Sequence, residues 1–237
     1  MSGRRIFVGD IQGCRYELEE LLGALDFQTG RDELHPVGDF VNRGPDNVGV
    51  LRLCREVDAG GVLGNHDLHA LRVRAGTRKL RDDDTLVDLE QADDGDALLD
   101  WLAERPLARE WDDVTLVHAA LHPRWVRPAQ ELAHLDPLVR DPLSDFATRV
   151  RYCAPDGERP DDDWPPPGPP YRPWYELLPQ RADHTVVFGH WARNGLVVRP
   201  GVRGLDTGCV WGGELTAWIA EEDRLVSVEA TRQYAPF

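Results

Sequence analysis

The sequence predicts an α/β fold, and the main reason is one local pattern that occurs three times in the first seventy residues. Each copy has a short apolar strand, then a Gly-Asp or Gly-Asn dipeptide, and then a helix with apolar residues at helical spacing. Strands that alternate with helices indicate βαβ units and a largely parallel sheet. A composition of 41% hydrophobic and 29% charged residues is that of a folded globular chain, so we expect a single domain over residues 1–237.

The three predicted strands define the three units. With the dipeptides that follow them, they are 6–8 with Gly9-Asp10, 35–37 with Gly38-Asp39, and 62–63 with Gly64-Asn65. The apolar residues of the three helices are Leu18, Leu21, Leu22 and Leu25, then Val50, Leu51, Leu53 and Cys54, then Leu68 and Leu71. In open α/β sheets, ligands bind beyond the carboxyl ends of the strands, where all three dipeptides would lie.

Two segments interrupt this alternation. Between residues 77 and 100, nine acidic and three basic side chains accompany leucines at helical spacing, which predicts a solvated helical insertion at about 72–110. A metal cluster at Asp82-Asp83-Asp84 is the alternative interpretation. Seven prolines between residues 160 and 173 exclude a helix or a central strand, so we predict a stiff excursion at about 155–180. Strands are predicted at 115–117, 185–188, 202–205, 215–220 and 224–228.

The charge of the chain limits its partners. With 42 acidic and 27 basic side chains, the net charge is −15. Binding to duplex DNA or to an anionic membrane needs clustered Lys and Arg, so we expect neither partner, and the sequence shows no basic groove for a long RNA. Four scattered cysteines without a CxxC pair, and the lack of a long apolar run, predict a cytoplasmic protein. The sequence leaves the oligomeric state open.

Five polar side chains directly follow predicted strands or their glycines. They are Asp10, Asp39, Asn65, His118 and His190. Carboxylate, amide and imidazole donors suit Mn²⁺, Mg²⁺, Fe or Zn²⁺, and five donors exceed one open tetrahedral site. A strand-end Asp is also a common helix N-cap, but that alternative does not explain the whole set. A site for two metal ions is therefore the economical interpretation.

Longer motifs around these residues resemble a known family. Gly9-Asp10-Ile11-Gln12-Gly13, Gly38 to Gly44, Gly64-Asn65-His66-Asp67, Val117-His118-Ala119 and Gly189-His190 are similar, in this order, to motifs of the calcineurin-like metallophosphoesterases, in their phosphoprotein-phosphatase branch. Within that branch the chain most resembles the symmetrical bis(5′-nucleosyl)-tetraphosphatases. The motifs that carry this closer resemblance are Gly13-Cys14, 149–153, 173–175, 188–191 and 205–213. The resemblance implies a central β-sandwich flanked by helices.

The resemblance also implies a site with two divalent ions. One ion would be held by Asp10 and Asp39, and the other by Asp39, Asn65, His118 and His190. Gln12 stands where the protein phosphatases have His, and its neutral oxygen would favour Mn²⁺, with Co²⁺ or Mg²⁺ as alternatives. A hydroxide activated by both ions would attack phosphorus.

The same resemblance assigns catalytic and substrate-binding residues. Arg43 would hold phosphate oxygens, and His66 would protonate the leaving oxygen, with Asp67 in the same catalytic motif. Arg151, or alternatively Arg149, would make a second phosphate contact. Aromatic side chains would stack on the bases, and the candidates are Tyr152, Trp174 and Trp191, with Tyr171 and Tyr175 also considered. Asp206 is a candidate to orient a metal-bound histidine.

Asn42 bears on the substrate. The protein phosphatases carry Asp at this position, where it is thought to help a histidine protonate an alkoxide. A nucleoside diphosphate leaves more easily, because the second pKa of a phosphate monoester is about 6. We therefore expect symmetrical hydrolysis of diadenosine tetraphosphate to two ADP, and also hydrolysis of nucleoside-tetraphosphate RNA caps. The alternatives are a protein Ser/Thr or Tyr phosphatase, and a non-catalytic protein that binds metal or nucleotide.

Overall fold

Two mixed β-sheets form the centre of the protein. The computed structural model describes residues 3–179 and 183–236. The strands are β1 (Arg5–Val8), β2 (Glu33–Pro36), β3 (Ala108–Glu110), β4 (Val114–Val117), β5 (Tyr152–Cys153), β6 (Arg172–Pro173), β7 (Thr185–Phe188), β8 (Val197–Arg199), β9 (Val202–Gly204), β10 (Glu214–Ile219) and β11 (Arg224–Glu229). One sheet has the order β11-β10-β1-β2, the other has the order β3-β4-β7-β9-β8, and β5 pairs with β6 alone.

Helices surround the two sheets. They are α1 (Arg15–Ala24), α2 (Asn47–Glu56), α3 (Asn65–Arg74), α4 (Val87–Gln91), α5 (Gly95–Ala103), α6 (Pro128–Leu132) and α7 (Pro142–Arg149). Short 3-10 helices lie at Trp174–Leu177, Ala192–Asn194, Cys209–Trp211 and Ala220–Glu222.

The alternation of side chains along β1 shows how the layers pack. Phe7 belongs to a buried cluster with Leu116 of β4 and Val187 of β7, which fills the space between the two sheets. Ile6 and Val8 point to the opposite face and join the larger cluster that includes the leucines of α1. Successive side chains of a strand alternate between its faces, so one strand serves both clusters. The α/β fold, with a sandwich of two sheets flanked by helices, is confirmed.

The prediction of a largely parallel sheet is wrong. β1 and β2 are parallel, as are β4, β7 and β9, but β10, β11, β3 and β8 join the sheets in antiparallel pairs. The third predicted strand, at 62–63, is also absent. Val62 N donates to the Pro36 carbonyl at 3.2 Å, but Gly61 has a φ of +83°, which interrupts the extended backbone.

The acidic insertion packs against the core. The segment that includes α4 and α5 buries Leu86, Leu89, Leu98, Leu99 and Leu102 of the predicted stripe. Trp101, the remaining residue of that stripe, is half-buried and packs against the core. Among the described residues, the side chains close enough together to hold a metal ion lie outside this segment, so the alternative of an acidic metal cluster has no support. The single-domain organisation and the insertion bounds at about 72–110 stay predictions.

The proline-rich segment leaves and rejoins the fold at one point, because β5 pairs with β6 and the loop 154–171 lies between them. Residue 180, the predicted end of this excursion, lies outside the described residues. Across the ranges 3–179 and 183–236, no helix is both long and apolar enough to span a membrane. The four cysteines are buried and free.

The buried stripe of the insertion predicts a large loss of stability when it is truncated. Leu98 is fully buried in α5, so Leu98→Ala should lower the free energy of unfolding by about 2–5 kcal/mol. Val87, which is 44% exposed, provides the control, and Val87→Ala should change stability by less than about 0.5 kcal/mol. Chemical denaturation measures both. Equal, small effects would mean that the insertion does not contribute to the core.

Candidate active site

Five polar side chains meet where strands of both sheets end. Asp10 and Asp39 lie just beyond β1 and β2, and His118 and His190 lie just beyond β4 and β7. Asn65 is the first residue of α3. The backbone NH of His190 donates to Asp10 Oδ1 at 3.0 Å, and the backbone NH of His66 donates to Asp39 Oδ1 at 2.8 Å. The convergence that the strand pattern suggested is therefore present in the fold.

Glycines make this close approach possible. A Cβ added to Gly189 would fall on Asp10 Oδ1, and one added to Gly64 would fall on Asp39 Oδ1. A residue with any side chain would push each carboxylate away from the backbone NH that it accepts. The Gly-His and Gly-Asn dipeptides are thus explained by packing against the carboxylates of other strands.

The two histidines present lone pairs to the centre of the site. His118 Nδ1 lies 2.9 Å from the Val37 carbonyl, which only accepts, so this nitrogen carries the proton. His118 Nε2 then faces Asn65 Oδ1 at 3.2 Å and Asp39 Oδ1 at 3.5 Å with no proton of its own. His190 Nε2 donates to the Arg149 carbonyl at 3.0 Å, which leaves Nδ1 as its lone pair.

This arrangement fits a divalent cation. Ligand atoms of Asp10, Asp39 and His118 lie within 4.8 Å of one another, and all three residues are buried. Oxygen and nitrogen lone pairs that face each other without a hydrogen between them need a positive charge. His118 donates to the Val37 carbonyl and His190 donates to the Arg149 carbonyl. Metal-bound histidines usually make a hydrogen bond of this kind with the ring nitrogen that does not bind the metal. Gln12 also lines the cavity at this site.

The protein leaves the negative charge of the site largely uncompensated. Burial raises the pKa of Asp10 well above its usual range, and the charges of Asp206 and Asp39 add to that rise. Burial also raises the pKa of Asp39 and of Asp206 to about 7 each. For His118, burial lowers the pKa to about 3, so the ring stays neutral. A bound cation requires neutral imidazoles and ionised carboxylates, so its binding would lower the raised pKa values of these carboxyls.

Asp206 follows β9 and is a further carboxylate at the site that the strand pattern did not assign as a ligand. Its Oδ1 accepts from the backbone NH of Gly208 at 3.1 Å. Within the described residues, no hydrogen bond joins it to a histidine, so the expected orienting contact is not seen. Its position after a predicted strand was the signal that could have placed it with Asp10.

Asp67 holds the backbone beneath the site. Its side chain is fully buried and accepts from the backbone NH groups of Phe40 and Gly64, at 2.9 Å each. It therefore fixes the loops that carry Asp39 and Asn65, and it does not line the cavity that holds Asp10 and Gln12. The prediction that Asp67 belongs to the catalytic residues is therefore wrong. Its carboxylate supports the backbone of the site.

Asn42 has a defined orientation. Its Oδ1 accepts from the backbone NH groups of Arg43 at 2.9 Å and Thr85 at 3.0 Å, so its Nδ2 must face the other two neighbours. Nδ2 lies 2.8 Å from Asp84 Oδ1 and 3.0 Å from His66 Nδ1. Because Nδ2 donates, His66 Nδ1 accepts, and the proton of the neutral ring lies on Nε2.

The acidic insertion thus reaches the site through Asp84. Although burial opposes it, hydrogen bonds from Asn42 and His69 lower the pKa of Asp84 to about 2, so this carboxylate is ionised. His66 is neutral, because burial and then the charge of Arg43 lower its pKa to about 3. The sequence presents Asp84 only as part of an acidic run, and no sequence pattern links it to Asn42.

Arg43 is turned toward the insertion. Its guanidinium forms an ion pair with the Asp83 carboxylate and donates to the Asp83 carbonyl at 2.7 Å. Arg43 and Asn42 both have positive φ, at +72° and +80°, so the loop that carries them is tightly constrained. In this structure Arg43 lies outside the lining of the substrate cavity, and its expected phosphate contact requires release from Asp83.

A cavity of about 340 Å³ opens beside the metal-binding side chains. Of the predicted substrate-binding residues, Arg151, Tyr152 and Trp191 line it, and the rings of Tyr152 and Trp191 are 4.9 Å apart in an edge-to-face arrangement. Arg151 lies 3.3 Å from both Asp163 Oδ2 and the His190 carbonyl. Arg149 lines a different groove.

Trp174 is corrected from a base platform to a core residue. It has no exposed surface and packs against Phe188, with ring centroids 5.1 Å apart. Tyr175 is buried beside it. Indole rings in the core have no face to offer to a base, and the sequence pattern alone did not distinguish these two roles.

Other residues that the sequence did not assign to the site also line the cavity. Trp164, on the proline-rich loop, is 64% exposed, and the Arg193 guanidinium lies 5.0 Å from its ring centroid. Asp163 and Trp211 complete this wall. An aromatic residue among prolines, where it cannot join a regular core element, was the available signal for Trp164.

The fold and this metal-binding site define the class of protein. A model of the calcineurin-like phosphoesterases matches residues 3–228, and the chain belongs to that family. The divalent metals of this family therefore have a candidate site at Asp10, Asp39 and His118.

More similar relatives are also known. The chain is 39% identical to the symmetrical bis(5′-nucleosyl)-tetraphosphatase of Shewanella sp. strain MR-7, over 93% of this chain and 96% of that protein. It is 41% identical to the protein of the same name from Ralstonia nicotianae, over 89% and 87% of the two chains. A crystal structure described as "a putative diadenosine tetraphosphatase" matches 97% of this chain and 95% of its own, with 34% identity and a TM-score of 0.77.

The buried carboxyls predict how the stability of the metal-free protein depends on pH. The folded-state pKa values of Asp39 and Asp206 are about 7 and that of Asp67 is about 8, all above the value of 3.8 expected in the unfolded chain. The folded state therefore binds more protons than the unfolded state at pH values above about 4. The stability that these bound protons contribute is lost as the pH rises through the folded-state pKa values of about 7 to 8. The buried histidines act in the opposite direction, but mainly below pH 6.5.

Thermal unfolding of chelator-treated protein should show this loss as a fall in Tm of several degrees between pH 6.5 and pH 8. Added Mn²⁺ should remove most of the fall, because cation binding favours the ionised carboxylates. Asp206→Asn, which removes one raised carboxyl, is the control and should show a shallower slope. A Tm that rises over this range without metal would contradict the argument.

Proposed function

We propose that this chain hydrolyses diadenosine 5′,5‴-P1,P4-tetraphosphate symmetrically, to two molecules of ADP, with two divalent metal ions. The observation that carries the proposal is one cavity that combines buried metal-binding lone pairs, an arginine and aromatic rings. A dinucleoside polyphosphate needs these three features together, for its phosphates and for its bases. The relatives named symmetrical bis(5′-nucleosyl)-tetraphosphatase support the choice of substrate.

Six residues would hold the two ions. They are Asp10, Gln12, Asp39, Asn65, His118 and His190. When bound, the ions supply a hydroxide nucleophile at neutral pH and neutralise charge on the phosphates. The set combines oxygen donors, which suit Mn²⁺ and Mg²⁺, with two imidazoles, which suit transition metals, and together they support Mn²⁺, with Co²⁺ or Mg²⁺ as alternatives.

The other residues of the chain position the substrate and the leaving group. Arg151 faces the cavity and would hold phosphate oxygens through its planar guanidinium. Arg43 would join it once its ion pair with Asp83 opens. The exposed ring of Trp164 and the half-buried ring of Tyr152 offer surfaces for an adenine base, and Trp191, which is buried, supports Tyr152 from behind at the cavity wall. His66 would present the Nε2 proton to the leaving oxygen.

The state of His66 supports an easy leaving group. Asn42 donates to its Nδ1, and burial keeps the ring neutral, so His66 offers a hydrogen bond and not a readily transferred proton. An alkoxide would require full protonation, whereas a nucleoside diphosphate with a pKa of about 6 requires little. The contact between Asn42 and His66 therefore supports hydrolysis of a phosphoanhydride.

The proposal also includes a second class of substrate and a location in the cell, and it has two alternatives. The anhydride of a nucleoside-tetraphosphate RNA cap is chemically the same, so capped 5′ ends are a second substrate class. We also propose a cytoplasmic location, which the cysteine pattern of the sequence supports. The alternatives are a protein Ser/Thr or Tyr phosphatase and a non-catalytic metal- or nucleotide-binding protein.

Chromatographic analysis of the products tests the proposed reaction. Protein stripped with EDTA and reloaded with Mn²⁺, Co²⁺ or Mg²⁺ should convert diadenosine tetraphosphate into ADP alone, and the stripped protein should be inactive. ATP plus AMP as products would contradict symmetrical cleavage. Turnover of phosphopeptides without turnover of the dinucleotide would favour the protein phosphatase, and metal binding without any turnover would favour the non-catalytic alternative.

An exchange of two neighbouring side chains tests the role of Asn42. In the double variant Asn42→Asp/Asp84→Asn, a carboxylate would accept from His66 Nδ1, and the total charge would be unchanged. The imidazolium would then be stabilised, and the kcat/KM ratio for a phosphoserine peptide over the dinucleotide should rise at least about tenfold, since general acid catalysis contributes 10²- to 10⁴-fold.

The single variant Asp84→Asn is the matched control, because it removes the carboxylate without placing one beside His66. It should lower activity toward both substrates without favouring the phosphopeptide. A double variant with the wild-type substrate ratio would show that Asn42 does not set the preference for phosphoanhydrides.

A further inference from the structure

A second groove is lined by arginines from two distant parts of the chain. It is distinct from the cavity lined by Tyr152, Trp164 and Trp191, which we call the aromatic cavity. The volume of the second groove is about 450 Å³, and its lining includes Arg72 of α3, Arg78 of the loop after α3, Arg140 before α7 and Arg149 at the end of α7. The sequence showed no basic groove, because these residues come together only in the fold.

The groove carries excess positive charge. Asp145 is the one carboxylate among its lining residues, and it is shared by Arg140, at 2.8 Å, and Arg149, at 3.4 Å. Arg72 is nearly buried and donates to the backbone carbonyls of Pro137 and Val139. Four guanidiniums therefore face one carboxylate on a chain whose net charge is −15.

Arg78 is the guanidinium that lacks compensation. No carboxylate of the described residues lies within ion-pair distance of it. Burial, followed by the charges of Arg81 and Arg140, lowers its pKa below the usual range. Partly buried like charges without a counterion favour the binding of an anion.

The lining also indicates the kind of anion. Besides the four arginines and Asp145, only Thr77 and Leu138 line the groove, so no described lining residue is aromatic. A base would find no stacking surface, whereas planar guanidiniums suit phosphate oxygens in pairs. The chemistry therefore fits a diphosphate or polyphosphate group.

Arg149 connects this groove with the metal-binding site. Its carbonyl accepts from His190 Nε2 at 3.0 Å, while its side chain lines the groove. Arg151, two residues further along the chain, lines the aromatic cavity. Two anion-binding surfaces thus adjoin the same metal-binding histidine, and only one of them has rings for a base.

We propose that the arginine groove formed by Arg72, Arg78, Arg140 and Arg149 binds the diphosphate of the second nucleotide, the half of the substrate whose base does not lie in the aromatic cavity. The assignment to the substrate rests on the proposed function, whereas the diphosphate site itself rests on the groove alone. A substrate held on both sides of the scissile anhydride would be fixed for cleavage at its centre.

Steady-state kinetics of the metal-loaded enzyme test the proposal. Arg78→Gln, and the double variant Arg78→Gln/Arg140→Gln, should raise the KM for diadenosine tetraphosphate, by about tenfold in the double variant, with kcat nearly unchanged. The KM for p-nitrophenyl phosphate, which has no second nucleotide, should not change. Arg52→Gln/Arg55→Gln on α2 removes the same charge outside the groove and should leave both KM values as in the wild type.

Arg78→Gln alone keeps the ion pairs of Asp145, so a folding defect in the double variant would not prevent the test. An unchanged dinucleotide KM in Arg78→Gln would overturn the assignment to the substrate, and so would an unchanged KM in the double variant where that variant folds. A raised KM only for a long capped RNA would overturn it in favour of an RNA backbone.

Isothermal titration with inorganic pyrophosphate distinguishes the remaining source. Loss of pyrophosphate binding in the groove variants, with an unchanged dinucleotide KM, would show that the groove binds free polyphosphate and would overturn the assignment to the substrate. If the wild type hydrolyses no dinucleotide, the proposed function fails separately. Pyrophosphate binding that is lost in the variants would then sustain the diphosphate site, and equal binding in all proteins would overturn it.

Discussion

The mutual repulsion of buried carboxylates is the constraint on which the rest of the site depends. Asp10, Asp39 and Asp206 stand at the ends of three strands from both sheets, and the protein supplies backbone NH groups but little positive charge to compensate them. Rigid strands hold them together, and glycines let the backbone approach them closely. The β-sandwich thus holds these carboxyls so close together that their ionised forms become favourable only when a cation binds between them.

The acidic insertion contributes to the site as well as to the core. Its leucines pack into the main hydrophobic cluster, and this packing fixes the loop that carries Asp83 and Asp84. Asp84 orients Asn42, which in turn sets the tautomer of His66. Arg78, a few residues earlier, extends the same segment to the arginine groove. A region that reads as a solvated surface therefore orients Asn42 beside His66 and lines the arginine groove.

The sequence predicted most of the fold because apolar strands and helices have distinct periods. It located the strand-end residues for the same reason, since a polar residue after a buried strand stands out. It failed where a short stretch has no period of its own, as at β3 and β8, or where one residue interrupts a strand, as Gly61 does before residues 62 and 63. The sequence does not distinguish a core indole from an exposed one, so it predicts a base platform at the buried Trp174 and misses the exposed Trp164. Contacts between distant segments, such as Asp84 with Asn42, leave no local pattern.

The carboxylate of Asp83 occupies the guanidinium of Arg43 and would compete there with any other anion. A carboxylate on the guanidinium resembles an incoming phosphate in charge and shape, so a substrate that binds Arg43 must exchange one anion for another. The displaced residue is the immediate neighbour of Asp84, whose hydrogen bond orients Asn42 and, through it, His66. Binding of an anion at Arg43 would therefore be coupled, through the peptide between Asp83 and Asp84, to the hydrogen bonds that orient Asn42 and His66. An anion too weakly charged to displace Asp83 would enter the cavity without disturbing that peptide, and the enzyme would distinguish it from a polyphosphate before any bond is broken.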